Sequence, residues 1–209
     1  MDEKVEIGKG IIAIQIVVGL FLFILIGFGM SNLLKNSILG SETEFFLDGK
    51  PLTVKNTPVM IGDTLKTNYD LDLPAETISD LQTFNLSKTK GVRIIETVPS
   101  LDTPVCSEQT NDLNTYAKAY TWIEFIVISL DTPFAQSRFC SSNNIENIKV
   151  LSDYRTGDFS RVNGLLIEEI NLNTRSIIVI DEDDKVLYVE HASEITKPLN
   201  LDKAINYVK

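Results

Sequence analysis

The chain has 209 residues, 44% of them hydrophobic, and a formal net charge of −10 at pH 7. This length suits one domain with an appendage, and the acidity argues against nucleic-acid binding, which needs clustered Lys and Arg. Two cysteines and one histidine are too few for a disulfide-built scaffold or a structural zinc site, and we expect neither a metal nor a cofactor.

The first element along the chain is a nearly unbroken apolar run at residues 11–30, in which Gln15 is the one clearly polar side chain. About 20 helical residues cross the hydrocarbon core of a bilayer, so we predict a transmembrane anchor here. A cleaved signal peptide is the alternative, but its apolar stretch is normally about 7–15 residues long. The anchor would leave residues 1–10 as a flank and residues 31–44 as a linker.

Charges on either side of this run predict its direction in the membrane. Lys4 and Lys9 precede it and Lys35 follows it, an excess that favours a cytoplasmic N-terminus. Residues 1–40 contain three lysines and three acidic residues, so the whole net charge belongs to residues 41–209. We therefore expect a single-pass protein of the cell membrane, with an acidic extracytoplasmic domain at residues 45–209.

Beyond the linker, strand-like and helix-like segments alternate. Asp48-Gly49 is a tight-turn pair between two short segments and predicts a hairpin, and Pro133 would open a short helix. The predicted strands are residues 45–47, 52–54, 92–98, 122–130, 176–180 and 185–190, and the predicted helices are residues 107–117, 134–140 and 201–209. Residues 69–84 fit neither pattern. The alternation favours a layered α/β domain.

The segment from Pro99 to Cys106 carries the most chemistry. It joins a predicted strand to a predicted helix, which puts Cys106 in the first helical turn. Unpaired N–H groups and the helix dipole favour an anion there, and the thiolate is the reactive form of cysteine. Thr103 lies three residues earlier, where its hydroxyl could bond to the sulfur, while Pro99 and Pro104 stiffen the loop.

Three motifs in this part of the chain resemble a known family. The spacing P-x3-T-x2-C resembles the peroxiredoxin signature, and DTPVCSEQT at residues 102–110 is similar to its thiol peroxidase branch. The strings DTPFAQSRFC at residues 131–140 and RSIIVID at residues 175–181 resemble the same branch. The resemblance begins near residue 45 and runs to the C-terminus, so residues 1–40 are an addition to it.

The resemblance implies an atypical two-cysteine peroxiredoxin with a thioredoxin-like fold, in which helices flank a central mixed sheet. Cys106 would be the peroxidatic cysteine and Cys140 the resolving one, with Arg175 stabilising the thiolate and polarising the peroxide. Hydrogen peroxide or an organic hydroperoxide would oxidise Cys106 to a sulfenic acid, which Cys140 would convert to a disulfide. The family further implies recycling by thioredoxin or a similar dithiol, and a homodimer.

Other interpretations of the same residues stay open. The two cysteines could form a plain structural disulfide, or serve a membrane-anchored thiol–disulfide oxidoreductase or redox sensor, although the chain lacks a CxxC motif. A catalytically weakened binding protein on the same fold is a third possibility. It is favoured by Glu96, a charge in a strand that is more apolar in the family, and by a stretch from Gly164 to Arg175 that looks short.

Overall fold

Apolar residues on both faces of three strands form the centre of the domain. A computed structural model describes residues 43–208, so the predicted anchor at residues 11–30 and its flank lie outside the described part. Within residues 43–208, no helix has both the length and the apolar character needed to cross a membrane. The predicted thioredoxin-like fold with a central mixed sheet is confirmed.

Residues 43–208 form a central sheet of seven strands in the order β11-β10-β5-β6-β7-β3-β4. β5 and β7 run parallel to β6, whereas β10 is antiparallel to β5 and β11, and β3 is antiparallel to β7 and β4. Two further pairs, β1 with β2 and β8 with β9, form small hairpins. The strands are β1 Phe45–Leu47, β2 Lys50–Leu52, β3 Asp70–Asp72, β4 Thr83–Asn85, β5 Arg93–Thr97, β6 Glu124–Ser129, β7 Lys149–Ser152, β8 Leu166–Ile167, β9 Leu172–Asn173, β10 Ser176–Ile180 and β11 Val186–His191.

In the described part of the chain, four α-helices accompany the sheet: α1 Pro104–Ala119, α2 Pro133–Asn143, α3 Asp158–Val162 and α4 Leu201–Tyr207. One face of the sheet packs against α1, α2 and α4, in a core that contains Cys106, Leu113 and Phe139. The other face packs against α3 and the segment before β3. Because side chains alternate along a strand, Ile94 and Ile95 of β5 enter opposite cores. Burial on both faces explains the continuous apolar runs of β6 and β10.

The first hairpin is present with its turn at Asp48-Gly49 as predicted, but its second strand is Lys50–Leu52 and not residues 52–54, because the two-residue turn starts the pairing at Lys50. Both turn residues have positive φ, at 51° and 74°, as a two-residue hairpin loop of this kind requires. The hairpin is tied to the chain after β11, since Phe46 N donates to Ser193 O and Ile195 N donates to Phe46 O. β1 is thereby joined to the segment that leads towards α4.

Candidate active site

Cys106 is the third residue of α1, within the first turn as predicted. The helix begins at Pro104, whose ring replaces an N–H that would lack a helical partner, and Thr103 precedes it in an extended conformation. Unpaired N–H groups and the helix dipole favour an anion at this end. Cys106 is fully buried, with 0% of its surface exposed, so its sulfur faces protein groups almost exclusively.

The Thr103 hydroxyl is one of the groups on this sulfur. Its Oγ1 lies 2.9 Å from Cys106 Sγ and 2.9 Å from the carbonyl oxygen of Ser100. A hydroxyl has a single proton to donate, so the sulfur and the loop carbonyl compete for it. Thr103 is itself exposed, which puts the hydroxyl on the solvent side of the buried sulfur.

The Arg175 guanidinium is the second group. Nη2 donates to Cys106 Sγ at 3.2 Å, Nε donates to the carbonyl oxygen of Ile195 at 2.9 Å, and Nη1 lies 3.5 Å from Gln109 Oε1. Arg175 is 1% exposed, so its charge acts in a poorly solvated core where electrostatic interactions are strong. The structure thus brings Thr103, Cys106 and Arg175 together, and the stretch before Arg175 is long enough to deliver it to the sulfur.

The loop that carries Thr103 is held from one side by Asp131. Its carboxylate accepts the Ser100 hydroxyl at 2.7 Å, the Leu101 N–H at 2.8 Å and the Ser129 hydroxyl at 2.8 Å. Pro99 is buried two residues after the end of β5, at the start of the loop. The loop is therefore fixed at its start by a buried proline and in its middle by a carboxylate.

Cys140 lies on α2, half-buried, and packs against the core that contains Cys106. Both cysteines are free thiols. Burial raises the pKa of the Cys140 thiol to about 11, and a backbone hydrogen bond only partly opposes this. Cys140 is therefore protonated at neutral pH and poorly nucleophilic.

Two groups of the site escaped the sequence interpretation. Gln109 orients Arg175 and accepts the N–H of Leu199 at 3.2 Å, and Asp131 fixes the loop. Gln109 lies three residues after Cys106, the spacing that puts two side chains on the same helix face, and this was an available signal. Asp131 opens the second quoted motif, yet nothing in its sequence context shows that it faces Ser100.

Glu96 is the least expected residue near the site. It lies in β5 with 0% of its surface exposed, and neither carboxyl oxygen has a hydrogen-bond partner within residues 43–208. Desolvation raises its pKa to about 8, while the charge of Arg175 opposes the shift and that of Asp112 adds to it. As for metal binding, no cluster of three or more His, Cys, Asp or Glu side chains suited to it occurs in the described residues.

Comparisons with known sequences find relatives of one kind. A family model described as Redoxin matches residues 62–205. The thiol peroxidase of Oceanobacillus iheyensis is 39% identical over 160 residues, covering 75% of this chain and 97% of that protein. The thiol peroxidase of Bacillus subtilis is 37% identical over 172 residues, covering 79% and 96%.

Solved structures agree on the fold. The crystal structure of a peroxiredoxin-like protein from Aquifex aeolicus superposes with a TM-score of 0.70 at 34% identity, covering 79% of this chain and 95% of that chain. A thiol peroxidase from Chromobacterium violaceum, at 21% identity, gives a TM-score of 0.69 with 80% and 96% covered, and this likeness concerns the fold alone.

Proposed function

This chain belongs to the thiol peroxidase family of redoxins and is a thiol-dependent peroxidase, and we propose that Cys106 attacks the peroxide and Cys140 resolves the oxidised product. The observation that carries the proposal is the pair of contacts on one buried sulfur, from Thr103 Oγ1 at 2.9 Å and Arg175 Nη2 at 3.2 Å. A hydrogen-bond donor and a cation at this sulfur are placed to stabilise the negative charge that moves from the sulfur to the peroxide oxygens during attack. The same contacts argue against a weakened binding protein.

Each of the two cysteines carries out a different step of the proposed reaction. The Cys106 thiolate attacks one peroxide oxygen, the O–O bond breaks, and an alcohol or water leaves after taking up a proton. Arg175 stabilises the negative charge that develops on the oxygens. The Cys140 thiol then condenses with the sulfenic acid, which releases water and forms a disulfide. An external dithiol, such as thioredoxin, returns both cysteines to thiols by exchange.

Two serine variants of the full-length protein test this division. Cys106→Ser should abolish turnover, because a serine hydroxyl does not ionise at neutral pH and forms no disulfide. Cys140→Ser should reduce one equivalent of peroxide and then stop, with sulfenic or higher acids on Cys106 by mass spectrometry. Stopped-flow peroxide consumption reports both. Turnover of Cys106→Ser within a few-fold of the native rate would remove Cys106 from its role, and native recycling of Cys140→Ser would remove Cys140.

We further propose that residues 11–30 anchor the enzyme in the cell membrane with the catalytic domain outside. The length of the apolar run supports the anchor, and the excess of Lys4 and Lys9 over Lys35 supports the direction. Organic hydroperoxides form in lipid, so an anchored enzyme would lie close to such substrates. A catalytic domain outside the membrane would need an exported dithiol as its reductant, because a cytoplasmic dithiol could not reach it.

A homodimer is the assembly that the family resemblance supports. Sedimentation of the full-length protein in detergent micelles, corrected for bound detergent, measures the assembly directly. A mass of one chain across the micromolar range would contradict it.

A further inference from the structure

A groove of about 670 Å³ lies between α1 and the start of α4. One wall consists of α1 residues between positions 105 and 116, and the other is the segment at residues 198–202. At 1.5 Å per residue, the α1 wall is about 16 Å long. The groove therefore begins in the helical turn that contains Cys106 and runs away from it along the helix.

Two hydrogen bonds join the walls of this groove, which we call the α1–α4 groove. The backbone N–H of Leu199 donates to Gln109 Oε1 at 3.2 Å. One helical turn or more further on, the Tyr116 hydroxyl donates to the carboxylate of Asp202. The two walls are thus held together near each end, so the groove is a built feature of the fold.

The charge of the groove has one sign. Glu108, Asp112 and Asp202 line it and are exposed, and no Lys or Arg is among its lining residues in the described chain. Lys203, the next residue of α4, pairs with Glu190 at 2.9 Å. Carboxylates gathered in a concave surface attract cations and repel anions. The groove therefore favours a positively charged partner.

A second observation narrows the kind of partner. Gln109 is 3% exposed and forms part of the groove lining, and its Nε2 has no hydrogen-bond partner within residues 43–208. An amide N–H donates only, so it needs an oxygen acceptor, which an amine or a metal cation does not supply. A polypeptide with Lys or Arg side chains supplies both the backbone carbonyl and the charge. At about 3.3 Å per residue, about five extended residues match the length of the groove.

We propose that the α1–α4 groove is the docking site for a basic, extended segment of the dithiol protein that reduces this enzyme. The reductant is the one protein that the reaction requires, and it must deliver a sulfur to the end of α1 where the groove begins. Peroxides are neutral and gain nothing from the carboxylates, so the acidity of the groove serves the second half of the cycle. This inference rests on the proposed Cys106–Cys140 disulfide.

The exchange that docking promotes is balanced. A thiolate of the partner attacks one sulfur of the disulfide, forms a mixed disulfide and expels the other enzyme cysteine, which takes up a proton. The second partner thiolate then attacks the partner's own sulfur and expels the remaining enzyme cysteine. Two electrons and two protons pass from the partner dithiol to the two enzyme thiols, and the partner is left as a disulfide.

The test uses two synthetic dithiol peptides with the same Cys-Gly-Pro-Cys segment. One has a five-residue tail rich in lysine, and the other has the same tail with glutamate in place of lysine. Full-length enzyme in detergent is oxidised with one equivalent of hydrogen peroxide, and stopped-flow measurements give the rate of disulfide reduction by each peptide. The lysine peptide should react about tenfold faster or more at low ionic strength. In 1 M sodium chloride, which screens charges beyond about 3 Å, the ratio should shrink.

Matched double variants show whether the groove itself causes this preference. Glu108→Gln with Asp112→Asn removes two charges from the groove, whereas Glu182→Gln with Asp183→Asn removes two exposed charges from the turn between β10 and β11. Net charge changes equally in both, and the ratio of the two peptide rates cancels differences in thiol reactivity. The ratio should fall by about threefold or more in the groove variant and stay native in the control. An equal fall in both, or equal rates of the two peptides on the native enzyme, would overturn the proposal.

A competition experiment on the native enzyme requires no variant to fold. The lysine tail alone, without cysteines and with blocked ends, should inhibit reduction by the lysine dithiol peptide. Spermidine, which carries several amines but no carbonyl, should inhibit several-fold more weakly, because it offers no acceptor to Gln109. Equal inhibition by the two would overturn a peptide as the occupant. All these outcomes leave the disulfide and its reduction by dithiothreitol in place, whereas failure of the disulfide to form would contradict the proposed function.

Discussion

At the scale of single residues, the three donor nitrogens of Arg175 each have a different acceptor. Nε meets the Ile195 carbonyl, Nη1 approaches Gln109 Oε1, and only Nη2 meets Cys106 Sγ. Two of the three contacts therefore fix the plane of the guanidinium, and the third is free to act on the sulfur. The planar shape matters as much as the charge, since an ammonium group could not reproduce all three contacts.

Arg175→Met should slow peroxide attack, because the negative charge that develops on the peroxide oxygens loses the cation that stabilises it. Removing one such donor should lower the second-order rate constant by about 100-fold or more, and stopped-flow peroxide consumption measures it. Arg175→Lys is the matched control, and it should recover little of the rate, because an ammonium group cannot reproduce the three contacts of the guanidinium. An unchanged rate in Arg175→Met would mean that another group stabilises this charge.

Glu96 should make the stability of the reduced protein depend on pH. Its pKa is raised from 4.5 to about 8, so the folded chain keeps a proton that the unfolded chain loses. Glu96 therefore leaves the free energy of unfolding unchanged with pH below about pH 4.5. Between about pH 4.5 and pH 8 it lowers that free energy by up to about 1.4 kcal/mol per pH unit, and above about pH 8 the loss is complete.

Glu96→Gln should therefore match the native protein in urea unfolding at acidic pH. It should be more stable by a few kcal/mol at pH 9, because the glutamine has no proton to lose. Glu108→Gln, on the exposed face of α1, should follow the native curve. A stability difference that stays constant from pH 5 to pH 9 would mean that Glu96 does not titrate in this range.

At the scale of elements, the site depends on a contact between two connections of the sheet. The β5–α1 loop carries Thr103, and the β6–α2 connection carries Asp131, whose carboxylate bonds to Ser100 and Leu101. β5 and β6 are parallel, so these connections leave the same edge of the sheet. Parallel pairing therefore brings the two motif segments of the chain, which end at Cys106 and Cys140, into one region.

Asp131→Ala should destabilise the protein and slow the peroxide reaction. Losing the carboxylate leaves the Leu101 N–H and the Ser100 hydroxyl without this acceptor, a cost of about 1–3 kcal/mol. The loosened loop should lower kcat/KM by about tenfold or more, because displacing a reacting group by about 1 Å slows a reaction strongly. Urea unfolding and steady-state kinetics measure the two effects. Asp183→Asn removes an exposed carboxylate elsewhere and should change neither the stability nor the kinetics. Native kinetics in Asp131→Ala would show that the loop keeps its conformation without the carboxylate.

The sequence predicted the long or strongly patterned elements, and its failures have physical causes. β5, β6 and β10 are buried runs and were predicted close to their bounds. β7 and α3 were missed because four or five residues are too few to display a period. Residues 69–84 contain the three-residue strand β3, a single 3-10 turn at Ile78–Asp80 and the start of the three-residue strand β4, and elements this short leave no readable pattern. Glu96 could be recognised as unusual, but its lack of a partner is a property of packing.

At the scale of the whole molecule, the first prediction is that the catalytic domain can be separated from the apolar run. Residues 43–208 contain both cysteines, Thr103 and Arg175 in one compact unit. Protease added to intact cells should cut within residues 31–44 and release an active soluble peroxidase. Protection of the domain until lysis would reverse the proposed orientation, and a full-length protein that stays soluble after cell breakage would contradict the anchor.

The attachment of the first hairpin has a mechanical consequence. Ile195 donates its N–H to Phe46 of β1 at 3.0 Å and accepts Arg175 Nε on its carbonyl at 2.9 Å. A pull on the domain through residue 43 would load β1 and reach the guanidinium through a single intervening residue. In an anchored enzyme, a pull on residue 43 would therefore load a short path of hydrogen bonds that leads through Ile195 to Arg175.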